Sequence, residues 1–592
     1  MNEKSVYELF KNSVEKYSSL VAYRYKEGDA WKELTWAEQD EAVRALSRGL
    51  VALGVGHDEK VNILSTTNIK WIQLDFATVS IGSVTVGIYP SNLPEDCAYI
   101  INHSEAVIIF CENEDQLNKI LSVRSKLKTL KHIVLMYGTP RVEGVMSWDE
   151  FIARGSEVTD AQLEERAAAI KSSDVASIVY TSGTTGVPKG AMITHDNLVF
   201  SSWSACESLT TEPGYATLLF LPLAHVFARI IVYVCMRAGV ATSIAESIEK
   251  VSENLKEVRP HFFGSVPRIY EKVYEKITSG VQDAGGVKEK LFNWAVGTGY
   301  QVSKLQLAGK PIPGGLAFKH RLATKLVLSK IQAALGGRVV YAISGAAPLN
   351  KSIAEFFHAC GILILEGLGM TENTSFSHVN RLNNNKFGTV GQPGPEIEHK
   401  IASDGELLIR GRNVMKGYFK NKEATDETID KEGWLYTGDI GEIDEENFLK
   451  ITDRKKDLII TAGGKNVAPQ RIERIIRTSR YISQIVAIGD QRKFISALIT
   501  LDQPQMEQWA TEHGLSYDSW EALVQSPEVQ KLIDSEVQER NKELASYESV
   551  KKFTLLPKDF SIESGELTPT LKLKRKVITE RYKDLIEKMY SA

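Results

Sequence analysis

The sequence predicts a large α/β body followed by a small α+β unit at the C-terminus. Three observations carry that expectation. At 592 residues the chain is too long for one hydrophobic core. Helical periods alternate with short β-rich runs over most of its length, the pattern of layered α/β structure. After residue 453 the order changes to one helical stretch followed by two closely spaced strand patterns, which suits a separate α+β unit.

In chain order, Ala37 to Leu53 reads as a helix, and Lys60 to Leu64 and Ser83 to Tyr89 read as strands. Val175 to Tyr180 and Ala191 to Thr194 are apolar runs on either side of a Gly/Ser/Thr-rich loop, so they form a strand–loop–strand arrangement. Phe262 to Arg268 opens about 70 residues of helical pattern, with Tyr270, Val273, Tyr274 and Ile277 at helical spacing. Val339 to Ser344 reads as a strand, Gly345 to Pro348 as a turn, and Asn350 to Cys360 as a helix stopped by Gly361. Ile362 to Leu365 is the next strand. Open sheets bind ligands beyond the carboxyl ends of their strands, where Gly345 to Pro348 and Glu366 to Glu372 are expected to lie. Val414 to Asp453 is rich in Gly, Asp and aromatic residues with short β runs. Pro469 to Ser479 then reads as a helix, with strands at Gln484 to Ile488 and Ile495 to Leu501. The expected division is residues 1–453, with a helical insertion at about 268–338, and residues 454–592.

Composition excludes several classes. Apolar residues at 43% and charged residues at 25% are ordinary globular values, which argues against disorder. A net charge of −4, with no zinc-type Cys/His cluster, argues against nucleic acid as a partner. The five cysteines (Cys97, Cys111, Cys206, Cys235, Cys360) are scattered and form no CxxC pair, which suits a reducing, cytoplasmic compartment. The N-terminus lacks the apolar segment of a signal peptide, and no apolar window reaches the roughly 20 residues of a spanning helix. Peripheral contact with the inner face of a membrane stays open, as do monomer and homodimer.

The loop between the first pair of apolar runs, Tyr180-Thr-Ser-Gly-Thr-Thr-Gly-Val-Pro-Lys-Gly190, has what a polyphosphate requires. Backbone N–H groups are exposed at Gly183, Gly186 and Gly190, hydroxyls come from Thr181, Ser182, Thr184 and Thr185, and Lys189 brings an ammonium. It is not the P-loop of nucleoside triphosphatases, because Pro188 precedes the lysine, Gly190 follows it, and no helix N-terminus faces the phosphates.

This string resembles the signature of the adenylate-forming, AMP-binding superfamily of acyl-CoA synthetases, firefly-type luciferases and peptide-synthetase adenylation domains. The resemblance runs from about Thr35 to Arg575. It implies a multi-subdomain N-terminal adenylate-forming domain, a mobile C-terminal lid, and use of ATP, Mg²⁺ and coenzyme A. Gly367-Leu-Gly-Met-Thr-Glu372 resembles the Tyr-Gly-x-Thr-Glu motif, with Leu368 where Tyr is common. By that resemblance Thr371 lies near the phosphates and Glu372 holds Mg²⁺, while Glu366, Gly367, Leu368, Gly369 and Met370 contact ATP or AMP. Gly345, Ala346, Ala347 and Pro348 resemble the adenine-side loop. Asp439, in Tyr436-Thr-Gly-Asp439, matches the carboxylate that receives both ribose hydroxyls, Arg454 the ribose-contacting arginine, and Lys456 the hinge.

Gly463, Gly464, Lys465 and Asn466 resemble the loop that meets the pantetheine arm of CoA. Near the C-terminus, Leu567-Thr-Pro-Thr-Leu-Lys-Leu-Lys574 departs from the usual Pro-Lys-Thr-x-x-Gly-Lys pattern. Aligning Thr570 with the family threonine puts the adenylation lysine at Lys574, with Lys572 its rival. His225, Val226 and Phe227 match a motif lining the acyl entrance, where His225 is expected to line the pocket and not to act as a base.

The Phe262 to Arg268 string and the helical stretch after it resemble the long-chain fatty acyl-CoA synthetase branch. The implied reaction joins a fatty acid to CoA through an acyl-AMP, with ATP cleaved to AMP and pyrophosphate. A fatty acyl-AMP ligase that loads a carrier protein, a ligase for aryl or other acids, and a non-catalytic scaffold are the alternatives. The combination of Lys189, Thr371, Glu372, Asp439, Arg454 and a C-terminal lysine speaks against the scaffold. Residues 304–338 carry seven Lys or Arg and no Asp or Glu, a basic patch suited to anionic lipid.

Overall fold

The computed structural model describes residues 3–181, 187–463, 465–568 and 572–591. Two large sheets form the body. One runs, in spatial order, Gly417–Tyr418, Lys189–Thr194, Val175–Thr181, Val84–Ile88, Lys60–Leu64, Ile108–Cys111, His132–Leu135 and Val145–Ser147. Its central strands are parallel and largely apolar because helices cover them: Val84–Ile88 is buried at every position. The nine-stranded sheet contains Phe262–Ser265, Tyr341–Ser344 and Ile364–Leu368 in parallel, so their carboxyl ends open on one side.

One apolar core draws on both large sheets, and a second lies with the eight-stranded sheet. A buried polar cluster joins their elements. Arg229, on helix Val226–Ala238, places Nη2 2.6 Å from Asp75 Oδ1 on helix Ile69–Ser80 and donates Nη1–H to Ser177 Oγ on strand Val175–Thr181. Tyr233 donates its hydroxyl to Asp75 Oδ2 at 2.7 Å. Helix Val226–Ala238 is thereby tied to the strand that ends at Thr181.

The insertion is helical: Pro267–Ala284, Gly286–Leu307, Gly314–Ala323, a π turn at Thr324–Leu328, and Ser329–Ala334. Tyr270 is buried and donates its hydroxyl to the Ile343 carbonyl at 2.8 Å, while Val273, Tyr274 and Ile277 pack on the main core. Their helical spacing is thus the core-facing stripe of an amphipathic helix. A four-stranded antiparallel sheet of Glu398–Ile401, Glu406–Arg410, Leu435–Ile443 and Leu449–Arg454 follows.

Beyond it, helix Pro469–Ile476 packs on the sheet of Ile482–Ile488, Ile495–Leu501 and Val550–Leu556, with apolar clusters of its own. This unit meets the insertion through Arg477 Nη2, 2.9 Å from Glu271 Oε2, and Arg480 Nη1, 4.0 Å from Asp283 Oδ1. Among the described residues no helix is long and apolar enough to cross a membrane.

One expectation needs correction. Glu366, Gly367 and Leu368 do not lie in a loop beyond a strand end, because the strand runs through Ile364–Leu368. The two-residue strand His378–Val379 extends it by pairing Gly367 with Val379 and Leu368 with His378. So short a partner shows no period in sequence.

Candidate active site

The segment expected to bind phosphate is flanked by two antiparallel strands in which Thr181 faces Lys189 and Tyr180 faces Gly190. Ser182, Gly183, Thr184, Thr185 and Gly186 lie outside the described residues. Thr181 donates its hydroxyl to the Lys189 carbonyl at 3.4 Å. A Cβ on Gly190 would meet Ile178 Cγ2 at 2.7 Å, so glycine is needed there for space.

Strand Gly417–Tyr418 lies along Ala191 and Met192. It carries a residue that sequence reasoning passed over. Lys189 Nζ sits 5.1 Å from the centroid of the Tyr418 ring, whose hydroxyl donates to Glu372 Oε1 at 2.7 Å. Burial, and then the Glu372 charge, push the Tyr418 hydroxyl's ionisation far up, so it stays a donor. Tyr418 therefore orients the carboxylate and positions the lysine by a cation–π contact. The only signal was an aromatic residue after Gly417.

Thr371 and Glu372 stand on a single 3₁₀ turn, Thr371–Asn373, which Asn373 braces by accepting the Met370 N–H at 2.8 Å. Thr371 is buried, and the Glu372 carbonyl accepts the Met415 N–H at 2.8 Å. Gly369 permits the turn: a Cβ there would lie 1.9 Å from the Ser375 carbonyl oxygen. On the adenine side, Gly345 lies against the Phe227 ring and Ala346 adopts φ +68°, a left-handed backbone that costs about 1 kcal/mol outside glycine.

Glu366 is buried below that loop. Its Oε2 accepts the Leu349 N–H at 3.2 Å, while Oε1 has no partner among the described residues. Burial raises its pKa from 4.5 to about 7, against the pull of the Leu349 and Gly388 N–H groups. Between those two values the unfolded chain is ionised and the folded carboxyl keeps its proton, so this group makes stability fall as pH rises through that window. Glu366→Gln should remove about one proton's worth of that slope. Thermal unfolding followed across the window checks this, and an unchanged slope would mean that the carboxylate is ionised in the fold.

The two residues expected at the ribose form a cross-strand pair. Asp439 faces Arg454 directly in register, with Arg454 Nε 3.0 Å from Asp439 Oδ1. Asp439 is buried; burial raises its pKa, while Arg454 and Lys572 oppose that rise. Lys572 adjoins an isolated antiparallel bridge between Leu567 and Leu573. Protein packed about its ammonium lowers its pKa, as does Arg454, while Asp439 and Glu372 raise it. The side chain is still open to solvent, as at the lip of a cleft.

Lys574 sits elsewhere: its N–H donates to the Glu566 carbonyl at 2.8 Å, its own carbonyl accepts from Ile578, and it opens helix Arg575–Arg581. Lys572 thus lies within electrostatic reach of Glu372, Asp439 and Arg454, while Lys574 is engaged by its backbone at the start of a helix. Lys456 is exposed in the turn after Arg454.

Gly463 and Lys465 belong to a turn of the C-terminal unit, where Thr461 N–H donates to the Lys465 carbonyl at 3.0 Å and Lys465 Nζ lies 6.0 Å from the centroid of the Tyr547 ring. Gly464 lies outside the described residues, and Asn466 pairs through its backbone with Ile460. No contact among the described residues joins this loop to the site around Glu372.

Beside the adenine loop a cleft with about 680 Å³ of empty space, including its mouth, runs inward between Leu209, Ile230, Ile231, Val234, Phe262 and Val379. His225 and Phe227 line it. His225 Nδ1 accepts the Phe227 N–H at 3.1 Å, and burial followed by the Lys572 charge lowers its pKa to about 4, so the ring is neutral at physiological pH. Val226 does not line the cleft. It is 1% exposed and packs into the main core, because adjacent residues at a helix start point to different faces.

Residues 10–419 match the family described as AMP-binding enzyme, and residues 456–592 match the AMP-binding enzyme C-terminal domain. The chain is 38% identical over 576 residues to long-chain-fatty-acid–CoA ligase FadD15 of Mycobacterium bovis, which covers 96% of this chain and 94% of that protein. It is 33% identical over 617 residues to the Homo sapiens long-chain-fatty-acid–CoA ligase ACSBG2, covering 98% and 92%. Among solved structures, the adenylation domain of a carboxylate reductase from Mycobacterium chelonae matches with a TM-score of 0.78 at 21% identity, covering 100% of this chain and 92% of that one. The anthranilate CoA ligase AuaEII in complex with anthranoyl-AMP matches at 0.74 and 19%, covering 98% of each. These last two show the fold.

Proposed function

The chain belongs to the AMP-binding enzyme family, and from that premise we propose that it is an ATP-dependent long-chain fatty acid:CoA ligase. The observation that carries the reading is convergence: Lys189, Glu372, Asp439, Arg454 and Lys572 form one charged cluster linked through Tyr418, and the Lys572 charge also acts on His225, which lines an apolar cleft. In the first step an oxygen of the fatty carboxylate attacks the α-phosphorus of ATP, the bond to the bridging oxygen breaks, and pyrophosphate leaves. Asp439 receives the ribose hydroxyls, Lys189 meets the phosphates, and Lys572 is the cation that offsets charge between carboxylate and α-phosphate. In the second step the CoA thiolate attacks the acyl carbonyl and AMP leaves, giving the thioester.

Glu372 suits Mg²⁺ carried by ATP. One of its oxygens is held by Tyr418, the other has no hydrogen-bond partner among the described residues, and such sites pair one or two carboxylates with substrate phosphates. Bound there, the ion supplies positive charge to the phosphates. The acyl cleft is apolar and His225 is neutral, which suits a hydrocarbon chain and no general base. We place the enzyme in the cytosol, in keeping with five free cysteines.

AMP release measured over short, medium, long and aromatic acids, with and without CoA, tests the assignment. Release should be greatest with long-chain acids and should need CoA for turnover. Preference for an aromatic acid would overturn the substrate class, and an acyl-AMP that accumulates in the presence of CoA would point to a carrier protein as acceptor.

A further inference from the structure

We propose that helix Gly314–Ala323 and the π turn after it are a docking face for an anionic lipid bilayer. The helix shows large apolar side chains to solvent: Phe318 is 70% exposed, Leu322 42%, and Leu326, in the turn, 40%. On a helix of about 3.6 residues per turn, Phe318 and Leu322 lie side by side, with Arg321 and Lys325 on one flank and Lys319 on the other. The inner side is held by Ala323 and Leu328, both buried. The outward arc is therefore apolar along its middle and cationic along its edges, the arrangement of a helix that lies in a membrane interface.

The charges support the same occupant. Lys304, Lys310, Lys319, Arg321, Lys325 and Lys330 form no ion pair among the described residues, and residues 304–338 contain no carboxylate side chain. On a chain whose net charge is −4, that is an unneutralised local excess. Elsewhere on this protein exposed lysines commonly find carboxylates, as Lys386 does with Asp444 and Glu446. An anionic bilayer answers both features, with phosphate for the basic flanks and hydrocarbon for Phe318 and Leu322. A nucleic acid would leave the apolar middle without a partner, and a second copy of this face would set like charges against each other.

The test uses the full chain and co-sedimentation with vesicles of phosphatidylcholine, alone or mixed with phosphatidylglycerol, at low and physiological salt. Binding is expected to the mixed vesicles only and to weaken with salt. Lys319→Gln, Arg321→Gln and Lys325→Gln combined should lower partitioning by roughly a hundredfold, since each lipid-facing cation contributes about fivefold. Phe318→Ser with Leu322→Ser should lower it by roughly tenfold. Neither variant should change the unfolding temperature or turnover of a short, soluble acid. Indifference of the wild type to vesicle charge, or vesicle binding by the charge variant equal to wild type, would overturn the proposal. So would a dimer in solution that Phe318→Ser disperses.

Discussion

Lys572→Ala lowers acid-dependent ATP–pyrophosphate exchange by roughly 10²- to 10³-fold, the usual effect of removing one preorganised charge from developing negative charge. Thioester formation from preformed acyl-AMP and CoA is spared, because the ammonium acts on the α-phosphate and not on the acyl carbonyl. Lys574→Ala changes exchange by no more than a fewfold. The contrast follows from the electrostatics and the backbone: the charges of Arg454, Asp439 and Glu372 act on Lys572, while Lys574 leads into a helix of the C-terminal unit. Equal losses in the two variants, or a loss in both half-reactions of Lys572→Ala, would remove this assignment. Counting residues from Thr570 favours Lys574 because a count does not say where the chain stops being extended. The backbone pins Lys572 by its N–H on Thr568 Oγ1 at 3.0 Å and starts a helix two residues later.

Gly369→Ala carries the second large effect. Its new methyl would fall 1.9 Å from the Ser375 carbonyl oxygen, a backbone atom that no rotamer change can move. Relief requires the Thr371–Asn373 turn to shift, and that turn holds Glu372 against Tyr418. We expect a destabilisation of about 2–3 kcal/mol and loss of most adenylation activity, because an ångström of misplacement at a phosphate site costs on the order of 10²-fold. Chemical denaturation and pyrophosphate exchange on the same preparation check both effects. Full activity at wild-type stability would show that the Gly369–Ser375 approach is not needed. Gly315→Ala, on the exposed helix where an added Cβ meets nothing within 4 Å, serves as the control.

Much of the site was legible because its residues lie in tight local strings. The paired strands about Lys189, the Thr371–Glu372 turn and the Tyr436 to Asp439 segment each fit on a few consecutive residues, so local turn chemistry and motif carry them. What escaped depends on distance. The direct opposition of Asp439 and Arg454 needs the register of two strands, and Tyr418 reaches Glu372 across 46 positions. The burial of Glu366, one of whose oxygens has no partner among the described residues, depends on Leu349, 17 positions away, whose N–H reaches the other oxygen. Val226 shows the converse failure: it shares the motif with His225 and Phe227, but the start of a helix points it into the core.

The seam between the two units has a consequence for timing. In the arrangement described, the Lys572 charge acts on Asp439 and Glu372 while no contact among the described residues joins Gly463 or Lys465 to them, so the proposed second step calls for a movement of the small unit. Arg477–Glu271 and Arg480–Asp283 must part each time. Partly exposed pairs of this kind are worth about 0–1 kcal/mol each, a bias of roughly thirtyfold or less in all. Such a seam acts as a slipping clutch: it favours the posture for making the adenylate, yet lets go within each catalytic cycle without a ligand to prise it open.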